Sequence, residues 1–332
     1  MKSTFFSKLV NNPFQDPILY VRFRREKDAV MFDCGDVYGL SVREIQKISD
    51  IFVTHMHVDH FIGFDNVLRC LLNREAPLHI YGPRGIINAV AHKLKGYTWN
   101  LIKEYPLKIE VCEVRKDILQ RGSFHATQGF NHIVGPVTAF DKIIMIKEGI
   151  TVEADVFDHG IEVLGFSLHE DTQININKAL LLERGLTPGP WLNELKAAIR
   201  NNSKDAQLNI DGHYYHIEEL RGLAMITQGQ KIAYITDISP SEANIKKAIG
   251  LAAGADTLYI EAFFLAEDVE RAHKRNHLTT AHSGYIARCA NVINVEITHV
   301  SPKYITMLDR IKLEVKEGYP PCGSLRAAPS MS

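Results

Sequence analysis

Short apolar runs rich in β-branched residues alternate along the chain with longer segments of helical period. The runs predict strands at 17–23, 28–34, 50–55, 78–82, 108–114, 142–148, 161–169, 231–237, 257–262 and 294–300. Apolar positions recur at helical spacing over 41–49, 83–96, 241–252 and 279–292, and Pro83 after Gly82 reads as a helix start. The stretch 170–203 also reads as helical, in two pieces separated by Thr187-Pro188-Gly189-Pro190. A polar segment follows over 203–218, with Asn209, Asp211, Gly212 and His213 making a turn. The tail after Lys316, rich in Pro and Ser, is expected to be loosely ordered. Strands interleaved with helices in this way predict a layered α/β architecture.

Composition narrows the class. The 332 residues are 45% hydrophobic and 23% charged, which excludes disordered, collagen-like and coiled-coil chains. A formal net charge of −1 argues against nucleic-acid binding through bulk charge, while leaving room for a local basic groove. Five cysteines are scattered without a CxxC pair, as expected of reduced thiols. No run reaches the ~18 apolar residues of a membrane helix, so a soluble, cytoplasmic protein with no membrane partner is expected. The number that composition cannot explain is 15 histidines.

Their positions matter more than their number. After the apolar run 51–53 come His55, His57, Asp59 and His60 within six residues. In an extended or looped backbone, His55 and His57 project to one side while Asp59 and His60 wrap to another. Such a segment can feed two adjacent metal ions, whereas a helical HExxH offers one pair of ligands. A polar loop that is merely rich in histidine is the bland alternative, and four ligand-type residues in so short a span weigh against it.

The pattern HxHxDH after an apolar strand resembles the signature of the metallo-β-lactamase superfamily. Upstream, Asp33-Cys34-Gly35 is similar to that superfamily's strand-ending Asp-x-Gly, which implies that Asp33 lies beneath the loop and orients its ligands. The remaining ligands follow from the resemblance: His159 in DHGIEVLGF, Asp237 at the end of KIAYITD, and His299 in VEITHVSPKY. Within the superfamily the chain is most similar to the ribonuclease Z group of 3′-tRNA-processing endonucleases. ERGLTPGP over 183–190, TLYIEAFF with Glu261, NHLTTAHSG with His277, and ITHVSPKY with Lys303 resemble that group's elements. The chain departs from the group in three places: SKLVNNPFQD stands where a Gly-Thr-Gly turn is usual, Ile260 replaces the His before the Glu, and Lys303 replaces an Arg.

The resemblance implies an αβ/βα sandwich of two mixed sheets face to face with helices outside, over 1–316, with halves at about 1–170 and 204–316. It implies two Zn²⁺ (Mn²⁺ as the alternative), one held by His55, His57 and His159, the other by Asp59, His60 and His299, with Asp237 between them. A pair of such ions lowers the pKa of a shared water and clamps the oxygens of an in-line displacement. By the same resemblance Asp59 orients the attacking hydroxide, His277 held by Glu261 protonates the leaving oxygen, and Lys303 neutralises a substrate phosphate. The implied substrate is precursor tRNA, gripped by an arm over 170–203, and the implied assembly is a homodimer. The alternative is a related binuclear hydrolase of a small phosphodiester such as a cyclic nucleotide, or of an aryl sulfate. A binding protein that has lost the reaction has no chemical need for seven ligands. The diiron oxidoreductases of the superfamily carry a carboxylate where this chain has a histidine.

Overall fold

The apolar runs pair into two mixed sheets. The computed structural model describes residues 5–24, 27–147, 149–203 and 206–318. The first sheet takes its strands in chain order: β1 (Phe5–Leu9), β2 (Leu19–Phe23), β3 (Ala29–Phe32), β4 (Ile48–Phe52), β5 (Leu78–Pro83), β6 (Lys108–Val114), β7 (Ile118–His125) and β8 (His132–Ala139). Its centre, β3 to β6, is parallel and both flanks are antiparallel. Next come β9 (Ile143–Lys147), β10 (Ile150–Asp158) and β11 (Glu162–Glu170), then the short strands β12 (Gln173–Ile176), β13 (Gln207–Ile210), β14 (His213–His216) and β15 (Ala224–Thr227). The last strands are β16 (Lys231–Ile235), β17 (Thr257–Glu261) and β18 (Asn294–Thr298). The second sheet runs β18-β17-β16-β11-β10-β9, with β16, β17 and β18 parallel.

The two sheets face each other across an aromatic core. Phe32, Phe52 and Tyr81 of the first sheet pack with Phe166, Tyr234 and Tyr259 of the second. Phe52 sits at the centre, stacked on Tyr81 at 4.8 Å and on Phe32 at 5.1 Å, with Phe166 tilted against it at 5.6 Å. The Lys147 ammonium of β9 pairs with the buried Asp50 carboxylate of β4, joining the sheets at another point. The outer face of the first sheet is covered by helices Phe64–Leu71 and Ile86–Lys95, that of the second by Glu242–Ala252, Thr280–Cys289 and Leu308–Glu317. The αβ/βα sandwich expected from the sequence is thus the observed architecture. Among the described residues no helix is long and apolar enough to cross a membrane.

The described residues form two compact units, of which His169–Gly229 is the second. That unit is longer than the 170–203 stretch marked in the sequence, because the polar segment after it is part of the same body. Asp211-Gly212, with φ +50° and +89°, closes the hairpin β13–β14. Leu208 and Ile210 of the hairpin share a core with Leu181, Trp191, Leu195 and Leu220. The Trp191 indole N–H donates to the Thr187 carbonyl at 3.0 Å, closing the Pro-Gly-Pro turn.

Two helix boundaries differ from expectation. Pro83 ends β5 rather than starting a helix, and the chain enters Ile86–Lys95 through Gly85 at φ +99°. The helix expected over 41–49 is one turn, Val42–Ile45, begun by a Ser41/Glu44 capping box and stopped because β4 already starts at Ile48. The tail after Lys316 lies outside the described residues beyond Gly318.

Phe52→Ala removes the ring on which both sheets pack and is expected to cost about 3–5 kcal/mol in urea unfolding. A loss near zero would contradict this description of the core.

Candidate metal centre

Every candidate metal ligand hangs from the carboxyl end of a strand, as do Asp33 and Glu261, while His277 lies between the helices Val269–Arg275 and Thr280–Cys289. Asp33 follows β3, the segment 54–60 follows β4, His159 lies in the turn between β10 and β11, Asp237 follows β16, Glu261 ends β17 and His299 follows β18. Ligands gather at such edges in open α/β sheets. Asp33, Asp237 and His299 each adopt a left-handed backbone, φ +56°, +53° and +49°. Non-glycine residues hold that conformation at a cost of about 1–3 kcal/mol, which the surrounding packing must offset.

The Asp-x-Gly motif has a steric reason. A β-carbon at Gly35 would lie 2.5 Å from the Asp59 carbonyl oxygen, and one at Gly63 only 2.0 Å from the Gly35 carbonyl oxygen. Cys34 N–H donates to the His60 carbonyl at 2.9 Å and Gly63 N–H to the Cys34 carbonyl at 2.8 Å. The histidine loop is therefore clasped to the end of β3.

Beneath it the Asp33 carboxylate, fully buried, accepts four hydrogen bonds. They come from Thr54 N–H and Thr54 Oγ1, both at 2.8 Å, and from His60 Nδ1 and the Tyr234 hydroxyl, both at 2.9 Å. With its proton committed to Asp33, Thr54 Oγ1 has lone pairs left to accept from His55 Nδ1 at 3.1 Å. His159 Nδ1 donates to the Asn276 carbonyl at 2.7 Å. In His55, His60 and His159 one nitrogen is thus anchored and Nε2 is presented to the same space.

That space gathers the ligand atoms in groups. His55, His57 and His159 form one, and Asp59, His60 and His299 another, each with its donor atoms within 4.8 Å of one another. Asp237 lies against both: its Oδ2 is 3.0 Å from His60 Nε2, and its Oδ1 is 3.3 Å from His299 Nδ1 and 3.8 Å from His159 Nε2. His60 Nε2 and His299 Nδ1 are buried without a hydrogen bond in usable geometry. Buried polar atoms are seldom left so, and nitrogen lone pairs aimed at a shared space beside carboxylates are what a divalent cation satisfies.

Protonation favours ligands at His55, His57, Asp59 and Asp237. At His60 burial is outweighed by Asp33 and Asp237, which raise the imidazole well above its ordinary value, so a cation there must displace a proton. Burial pushes His55 down to about 2, and the neighbouring His60 adds to this. Burial and the nearby His159 likewise lower His57, so both imidazoles are neutral. Burial opposes the charge on Asp237, but His299 and His60 outweigh it and hold the carboxyl well below its ordinary range. Asp59 is lowered in the same way, by its hydrogen bond from His299 and by the charge of His60.

His277 stands beside these groups with a partner of its own. Its Nδ1 is 2.9 Å from Glu261 Oε2, and Glu261 is further fixed by accepting the Ile238 N–H at 2.9 Å. The Phe263 ring stacks on the imidazole at 3.9 Å with planes 8° apart. Burial lowers the His277 pKa, but Glu261 and then Asp237 raise it above the ordinary value. Lys303 is the one candidate not gathered here. Its ammonium pairs with Asp268 at 2.9 Å, so its charge is already neutralised. Thr54, Tyr234 and Phe263 were not singled out from the sequence. Thr54 adjoins the histidine motif and was legible there, whereas Tyr234 reads only as one more apolar strand position.

Ribonuclease Z from Bacillus cereus is 30% identical to this chain over 285 residues, covering 82% of the chain and 78% of the relative. The chain belongs to the ribonuclease Z family. Ribonuclease Z of Deinococcus radiodurans is 29% identical over 304 residues, covering 89% and 90% of the two chains. Ribonuclease BN of Proteus mirabilis is 28% identical over 287 residues, covering 84% and 81%. No protein-family model matches the chain. Among solved structures, the short form of human tRNase Z superposes with TM-score 0.53 at 18% identity, over 90% of this chain and 93% of that one. The metallo-β-lactamase fold protein YhfI of Bacillus subtilis gives TM-score 0.54 at 13% identity, over 96% and 94%. The fold is that of the metallo-β-lactamases, and family membership makes the chain a metal-dependent hydrolase.

Asp33→Asn keeps the shape but replaces one acceptor oxygen by a donor among four donors. Groups that orient metal-ligating histidines typically change metal affinity about 10–100-fold when replaced. Competition with a chromophoric chelator should therefore show weaker divalent-cation binding by that factor, with the far-ultraviolet dichroism unchanged. Equal affinity would contradict the orienting role.

Proposed function

We propose that the protein is an endoribonuclease that cuts precursor tRNA at its 3′ end, with two Zn²⁺ ions bound in the cluster and Mn²⁺ as the alternative ion. The observation that carries this reading is the pair of ligand groups that share Asp237. His55, His57 and His159 would hold one ion, and Asp59, His60 and His299 the other. Nitrogen and carboxylate donors without thiolate suit zinc or manganese. Bound there, the two cations supply Lewis acidity and activate water.

The protein's own groups supply the rest. Asp59, ionised and partly exposed at the mouth of the cluster, orients the attacking water and accepts its proton. Glu261 fixes His277 through Nδ1, which leaves Nε2 to deliver a proton to the departing 3′-oxygen of the tRNA. The precursor tRNA substrate is supported by the ribonuclease Z relatives and, at the level of fold, by human tRNase Z. The 170–203 stretch, within the unit His169–Gly229, would be the arm that grips the tRNA. A homodimer in the cytoplasm completes the reading, with light scattering as the check on assembly.

The test pairs precursor tRNA with bis(p-nitrophenyl) phosphate, each assayed after chelation and after Zn²⁺ or Mn²⁺ is restored. Cleavage beside the discriminator base, leaving a 3′-hydroxyl on the tRNA and returning only with metal, is the expected result. His277→Ala should slow that cleavage roughly 10²–10⁴-fold. It should slow the nitrophenyl ester far less, because p-nitrophenolate leaves without a proton. Replacing 171–228 by a Gly/Ser linker should raise KM for tRNA and flatten its salt dependence while sparing the small ester. Hydrolysis of the small ester with no cut in precursor tRNA would replace this reading by a small-phosphodiester hydrolase.

A further inference from the structure

We propose that a basic cavity at the carboxyl ends of β5 and β6 seats a phosphate of the RNA strand that runs off the metal centre. The inference deepens the endoribonuclease reading and rests on it for the identity of the strand. The cavity measures about 390 Å³ and is walled by Arg84, Gly85, Asn88, Arg115, Gln120 and His132.

Its charge balance is positive. The one carboxylate in its lining, Glu113, is buried and already satisfied on both oxygens. Arg115 Nε and Nη2 each lie 2.8 Å from its Oε1, and the Ile87 N–H, in the first turn of Ile86–Lys95, points at its Oε2 at 3.4 Å. Arg84 is exposed and has no carboxylate partner among the described residues. That leaves one uncommitted guanidinium, a group suited to two-pronged contact with phosphate. His132, stacked on Phe124 at 5.3 Å, gives the cavity a fixed flat wall.

Position ties the cavity to the site. Met56 lies between the candidate ligands His55 and His57, and a β-carbon at Gly85 would lie 3.3 Å from the Met56 methyl. The wall of the cavity and the histidine loop are therefore neighbours, at the carboxyl ends of the adjacent parallel strands β4 and β5. A polynucleotide bound across the cluster would continue over Met56 to Arg84, whereas a small diester would fill the cluster alone.

The experiment measures binding of a fluorescein-labelled short single-stranded RNA to the intact, metal-loaded protein, by anisotropy over a range of KCl. Arg84→Gln should weaken binding several-fold and flatten the log–log salt slope by about 0.7, one single-strand phosphate contact. Arg84→Lys should keep most of the slope, and hydrolysis of bis(p-nitrophenyl) phosphate should stay at the wild-type rate in both variants. Unchanged affinity and slope in Arg84→Gln, or no RNA binding by the wild type, would overturn the proposal. So would binding of inorganic phosphate that Arg84→Gln abolishes while RNA binding is intact, because the cavity would then serve a free anion. Precursor tRNA cleavage by the same preparations separates the two ideas. Wild-type cleavage with an unchanged slope rejects the cavity alone. A changed slope without wild-type cleavage rejects the tRNA reading alone.

Discussion

A buried carboxylate with four donors on it is the point from which the site is built. Asp33 ends β3 in a left-handed conformation and takes hydrogen bonds from the histidine loop after β4 and from Tyr234 of the opposing sheet. A buried charge is tolerated only when it is fully paired, so this arrangement constrains its neighbours as much as they stabilise it. Through Thr54 and His60 it sets which imidazole nitrogens are occupied and which are presented. Through Tyr234 it ties the two sheets together directly below the ligands.

The ligand cluster itself is a local conflict that metal resolves. Five histidines and two carboxylates crowd the carboxyl ends of strands from both sheets, two of the imidazole nitrogens have no hydrogen bond, and Asp237 and His299 are held in strained backbone. In a chain selected only for stability these features would be penalties. Burial favours neutral His55 and His57, and the imidazoles beside Asp59 and Asp237 hold both carboxyls ionised, which are the states a divalent cation requires of these four groups. His277 differs because Glu261 claims its Nδ1, which leaves only Nε2 free toward the cluster.

The sequence made the site more legible than the scaffold around it. His55, His57, Asp59 and His60 are contiguous, so their chemistry stands out locally. Asp33, His159, Asp237 and His299 became legible only through family order, since none of them sits within the contiguous histidine motif. Tyr234 gave no signal, because its role depends on a partner 201 residues away. Among the strands, β10 alternates buried and partly exposed positions and could have been read from period alone, whereas β8 is exposed along much of both faces and carries no such pattern. Pro83 misled because its ring is as compatible with a strand end as with a helix start. The hairpin of the second unit was hidden by polar composition, with Leu208 and Ile210 its buried residues and Tyr215 partly buried against the same core.

The central claim is that two cations occupy two ligand groups sharing Asp237. Anomalous diffraction from crystals of the metal-loaded protein, at an absorption edge of the bound ion, locates such ions without reference to activity. Two peaks are predicted, one among His55, His57 and His159 and one among Asp59, His60 and His299, with Asp237 beside both. A single peak, or peaks away from these side chains, would contradict the account.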